Sequence, residues 1–145
     1  MSCYLGLDYG LRRIGIAASD PANSLAFAVG THVEGRDGSI LSRLEELIAD
    51  RSAIGIVLGL PLTADGREGD MARRVKKFAE RLERDFSVEV ILWDERFSSA
   101  EADRWLAGAT RSTREDRDAM AAEIILQSFL DSLRPGEPPE GGSGC

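Results

Sequence analysis

Apolar positions along the chain alternate in some stretches and repeat with a helical period in others, and the boundaries between these stretches predict the elements. Tyr4–Asp8 reads as a short strand with Leu5 and Leu7 on one face and Gly6 and Asp8 on the other. Tyr9-Gly10-Leu11 marks a tight turn, and Arg13–Ser19 is the return strand of a hairpin. Leu25–Val33 is a third strand with poor alternation, followed by a loop over Glu34–Gly38. Ile40, Leu41, Leu44, Leu47 and Ile48 then recur at helical spacing. The nearly continuous apolar run Ile54–Leu60 predicts a strand covered on both faces in a parallel sheet.

An irregular loop leads through Gly69 to a second helix, whose stripe is Met71, Val75, Phe78, Ala79, Leu82 and Phe86. Val88–Trp93 reads as another buried strand, ending at Asp94-Glu95-Arg96. Ser98 and Glu101 form a capping-box pattern at the start of a short helix through Leu106. Gly108–Asp116 is polar and expected to be mobile, and a last helix is expected over Arg117–Leu133. Three strands followed by alternating helices and strands predict an α/β fold: an antiparallel meander extended by parallel βα units, five strands with helices on both faces. The chain of 145 residues suits one domain over residues 1–134, and the Gly/Pro-rich segment Pro135–Cys145 is expected to be disordered.

Composition narrows the chemistry. The single histidine, His32, lies in a strand and makes a histidine-based triad very unfavourable; its expected role is structural or at the surface. Cys3 and Cys145 form no metal-ligand spacing and suit a reducing cytoplasm. The longest apolar runs are too short to span a bilayer and no signal peptide is read, so no membrane partner is expected. The net charge of −7 argues against a nucleic-acid partner when taken alone. Arg67–Arg84 nevertheless holds seven basic residues against four acidic ones, a run whose bland reading is a solvated face.

Three carboxylates fit a bland reading poorly. Asp118 shares its helical stripe with Ala121, Ala122, Ile125 and Phe129, so it must face the sheet and needs a cation, a partner or a place in the first helical turn. Asp8 ends a central apolar strand just before a glycine turn, and Glu95 ends another strand, where Arg96 is an alternative partner. Topology brings Asp8, Glu95 and Asp118 together. Carboxylates so placed repel one another unless a hard cation such as Mg²⁺ or Mn²⁺ joins them.

LGLDYGLRRIGIAASD (Leu5–Asp20), IVLGLPLTADGREG (Ile56–Gly69), DERFSSAEA (Asp94–Ala102) and DAMAAEIILQSFLD (Asp118–Asp131) resemble, in order and spacing, the YqgF family of bacterial Holliday-junction-resolvase-like proteins. The resemblance spans Tyr4–Leu133. It implies a ribonuclease H-like fold and Mg²⁺- or Mn²⁺-dependent phosphodiester hydrolysis, with maturation of the 5′ end of pre-16S ribosomal RNA as the family's assigned task. Asp8, Glu95 and Asp118 take the family's catalytic and metal-binding positions. Arg12, Arg13, Arg111 and Arg114 are candidates for holding flanking phosphates. True junction resolvases of this fold carry a further acid three residues after the last one, where this chain has Ala121; Glu115 substitutes only if the helix starts early. Alternatives are a nuclease for DNA junctions, a catalytically silent RNA- or protein-binding module, and an actin-like nucleotide site, to which Leu7–Ala17 is also similar.

Overall fold

The computed structural model describes residues 3–63, 65–97 and 114–133. Five strands form one sheet in the order β3-β2-β1-β4-β5, where β1 is Cys3–Asp8, β2 Arg13–Ser19, β3 Ala26–Val33, β4 Ala53–Leu60 and β5 Glu89–Asp94. The first three strands pair antiparallel, while β1–β4 and β4–β5 pair parallel. The expected meander with parallel extensions is therefore the observed topology, and β1 is the central strand.

Among the described residues the helices are α1 (Ile40–Arg51), α2 (Asp70–Asp85) and α3 (Arg114–Ser132), with a 3-10 turn over Glu95–Phe97. Ser39 opens α1 by accepting the Leu41 amide on its hydroxyl, which satisfies one orphan donor of the first turn. Ser52 closes it in the left-handed region (φ 52°). Leu5, Leu7, Ile14, Ile16, Ile56 and Leu58 pack under α1 and α2 against Leu44, Val75, Ala79 and Leu82. The alternate residues of the same strands face α3, where Ala17 and Val57 meet Ala122, Ile125, Leu126 and Leu130. Helices thus cover both faces.

Three expectations change. β5 is half-exposed rather than buried, with Leu92 at 36%, because among the described residues it is the edge strand of the sheet. Ile54 is exposed (45%), so the fully covered part of β4 begins at Gly55. Arg114, Glu115 and Asp116, expected in a mobile segment, are already helical. The capping box at Ser98 with its short helix, the rest of the mobile segment and the tail 135–145 lie outside the described residues.

His32 is buried and structural. Its Nε2 faces two acceptors, Glu34 Oε1 at 3.2 Å and the Gly38 carbonyl at 3.1 Å, so Nε2 carries the proton and donates. Glu34 also accepts the Ile40 amide, which pins the loop between β3 and α1.

Candidate active site

Alternation along β1 decides where Asp8 points. Leu5 and Leu7 are wholly buried under α1 and α2, so Tyr4, Gly6 and Asp8 belong to the α3 face. Tyr4 confirms the assignment by meeting Phe129 of α3 edge-on, ring centroids 5.1 Å apart. Asp8 is half-buried at the C-terminal end of the central strand.

Glycines occupy the strands on either side. Asp8 pairs with Gly15 of β2, and one further step of the Leu7–Leu58 register sets it beside Gly59 of β4. A Cβ on Gly15 would stand 1.9 Å from the backbone oxygen of Asp118. A Cβ on Gly59 would stand 2.8 Å from Glu95 Oε2 and 2.6 Å from Ile125 Cδ1. The missing side chains are therefore what allow Asp118 to ride over the sheet on one side of Asp8 and Glu95 to fold back over it on the other. A strand interior normally loses stability with glycine; here each glycine marks a close approach.

Two open pockets meet at Asp8. One, of about 270 Å³, is lined by Asp8, Tyr9, Pro61, Leu62, Met71, Glu95 and Arg96. The other, of about 340 Å³, is bounded by the turn from Tyr9 to Arg13 and by Asp8 and Asp118. Asp8 is shared, whereas Glu95 and Asp118 each line one pocket.

Asp118 has found a partner. Arg13 Nε donates to its Oδ2 at 2.8 Å, with both side chains largely covered. Arg13, a candidate for holding phosphate, is thus engaged with a candidate catalytic acid. Arg12 is exposed on the wall of the Asp8–Asp118 pocket. Arg114 opens α3, and Arg111 lies outside the described residues. Because α3 begins at Arg114, Glu115 is helical, the condition under which it could replace the acid missing at Ala121.

Arg96 and Tyr9 line the Asp8–Glu95 pocket without having been among the candidates. Arg96 Nε and Nη2 donate to Asp94 at 2.7–3.1 Å, and the guanidinium covers Gly66 of the loop after β4. This contact holds the Asp94 carboxyl below its usual range. The DER triplet contained the signal, since the acid two residues before an arginine at a strand end can fix that arginine in place.

Three carboxylates on one sheet face offer only hard oxygen donors, the set that suits Mg²⁺ or Mn²⁺. The glycine cradles bring two of them to either side of Asp8. Among the described residues, however, no three acidic, histidine or cysteine side chains stand close enough together to hold a metal ion as placed, and the Arg13–Asp118 bond accounts for one carboxylate's engagement. The donor chemistry fits. Arg13 occupies Asp118 Oδ2, so a cation held by that oxygen competes with the ion pair.

Comparison with known proteins agrees with this architecture. The chain is 39% identical to a "Putative pre-16S rRNA nuclease" of Sulfurihydrogenibium sp., over 92% of each chain. It is 44% identical to the protein of the same name in Anaeromyxobacter sp., over 90% of this chain and 98% of that one. Among solved structures, Thermus thermophilus RuvC in complex with a Holliday junction superposes with a TM-score of 0.56 at 14% identity, covering 92% of this chain and 97% of that one. The Fowlpox virus resolvase bound to junction DNA gives 0.52 at 10% identity, over 90% and 98%. At these identities the structures speak for the resolvase-type, ribonuclease H-like fold alone. The sequence profile of the RuvX Holliday junction resolvase family matches residues 2–132, and the chain belongs to that family of nucleases.

Proposed function

We propose that this nuclease trims the 5′ end of precursor 16S ribosomal RNA, using Asp8, Glu95 and Asp118 around a Mg²⁺ or Mn²⁺ ion. The placement of Asp8 between Gly15 and Gly59, with Asp118 over one and Glu95 over the other, carries this reading. The name shared by the relatives at 39–44% identity supports the RNA substrate. A divalent cation at this position supplies an activated water and stabilises charge on the phosphate and the leaving oxygen.

The chain's own residues supply the rest. Asp8 is fixed by the central strand and forms the invariant corner of both pockets. Glu95 is held over the sheet because Gly59 leaves it room. Asp118 enters the site by exchanging its bond to Arg13, and the released guanidinium is then free for a phosphate oxygen. Arg12 on the pocket wall, with Arg111 and Arg114, binds flanking phosphates and positions the strand. Arg96, fixed by Asp94, faces the same pocket as Glu95 and adds a positive charge beside the scissile group. Among the described residues no helix is long and apolar enough to cross a membrane, in keeping with a ribosomal substrate in the cytoplasm.

The test is cleavage of precursor ribosomal RNA, an unrelated single strand and a four-way DNA junction with Mg²⁺ or Mn²⁺. Asp8→Asn is expected to reduce cleavage of the precursor at least about 100-fold while leaving the circular-dichroism spectrum unchanged. Cutting of the DNA junction alone would sink the RNA assignment. RNA binding that persists without any cleavage, with either metal, would make the protein a silent binding module.

A further inference from the structure

The basic run Arg67–Arg84 divides once its partners are known. Arg67 is engaged with Asp65, Arg73 with Asp70 and Lys76 with Glu68. Arg74 and Lys77 are exposed and, among the described residues, have no carboxylate partner. Arg81 meets Asp85 at 2.9 Å, but both groups are exposed, and such a pair holds a guanidinium weakly.

Met71, Arg74, Phe78 and Arg81 recur at three- and four-residue spacing and so form one edge of α2, about 15 Å long. That edge begins in the candidate active site, because Met71 lines the pocket of Asp8 and Glu95. In the middle, Phe78 stacks on Tyr9, the residue after Asp8, with centroids 4.5 Å apart and planes 29° from parallel. At its far end Arg81 borders a groove of about 380 Å³ with Tyr9, Gly10, Leu11 and Phe78. Glu34 also lines this groove, but its Oε1 faces His32 and the Ile40 amide.

We propose that this edge of α2 guides the sugar–phosphate backbone of single-stranded RNA away from the cleavage site. Arg74 and Arg81 contact phosphates on either side of the Tyr9–Phe78 stack, and Lys77 adds charge on the adjacent turn. The proposal rests on the nuclease reading and extends it by naming where the uncut remainder of the substrate lies. The net charge of −7 opposes nucleic-acid binding overall, so a strand depends on a local cationic path such as the one leading from the acidic site.

Binding without cleavage tests the path separately from the chemistry. Fluorescence anisotropy of a labelled single-stranded RNA is measured in EDTA across a range of salt, with the full chain and with Arg74→Gln, Arg81→Gln and Arg43→Gln. The last removes the same charge from α1. Arg74→Gln and Arg81→Gln are each expected to weaken binding about 5- to 10-fold and to reduce the salt slope by about one, while Arg43→Gln changes neither appreciably. Equal losses in all three variants would reduce the effect to overall charge and overturn the proposal. So would unchanged RNA affinity in the α2 variants, or an effect confined to a four-way DNA junction. Loss of cleavage in Asp8→Asn with RNA affinity retained keeps the two conclusions separable.

Discussion

The two faces of the sheet are packed by opposite means. Under α1 and α2, Leu5, Leu7, Ile56 and Leu58 fill the space with large side chains. Under α3 the corresponding positions are Gly6, Gly15, Ala17, Val57 and Gly59, and much of the volume is supplied by the helix. At Gly15 the approach is of backbone to backbone, the Asp118 carbonyl lying where a side chain would stand. On this face side-chain volume is given up so that polar groups can come within a few ångströms of the central strand, which is where the acids stand.

The comparison predicts opposite responses to a change in size. Gly15→Ala adds one methyl 1.9 Å from a backbone oxygen that no rotamer change can move, so α3 must shift; a loss of about 3 kcal/mol or more in urea unfolding is expected. On the other face the damaging change is a deletion, and Leu58→Ala should cost about 3 kcal/mol. If Gly15→Ala proves neutral, the close approach of α3 is not what holds that face. Gly59→Ala meets side chains first, Ile125 Cδ1 and the Oε2 and Cγ of Glu95, which can turn aside where a backbone cannot. It should cost about 1 kcal/mol in stability yet lower nuclease activity more than 10-fold, a separation that Leu58→Ala would not produce.

Arg13→Gln weakens the bond between the hairpin and α3. The expected loss is about 1 kcal/mol, with tighter Mn²⁺ binding by titration calorimetry because Asp118 is no longer held away. Unchanged Mn²⁺ affinity would remove Arg13 from any role at the metal. The smallest effect concerns Asp94, whose folded-state pKa lies below its ordinary 3.8. Its contribution is complete above that ordinary value and fades as pH falls through the lowered one, so the clamp on Arg96 should survive mild acid. Carboxyl chemical shifts through an acid titration check this.

Much of the architecture was legible in the sequence. Alternation in Tyr4–Asp8 set Asp8 opposite Leu5 and Leu7, the helical stripe of Asp118 turned it toward the sheet, and the family motifs selected the same residues; that both lie on one face is seen only in the packing of α3. The two edge strands were harder to read because exposure depends on what pairs alongside, and β5 has the same apolar composition as a buried strand. The cradling glycines were invisible for a different reason: an empty position in a strand does not say which group occupies the space. Arg13 and Asp118 lie 105 residues apart, and neither side chain carries a local sign of the other. The Tyr9–Phe78 stack, which joins the hairpin to α2, was similarly beyond the reach of local pattern.

The site joins a strand that begins at Cys3 to a helix that ends at Ser132. On a translating ribosome the sheet and its α1–α2 layer emerge first, while Ala17, Val57 and the glycine cradles wait for α3 to cover them. Asp118 reaches the central strand only with that last helix. Until that helix docks, the sheet can be formed while Asp8 and Glu95 stand without the third carboxylate beside them.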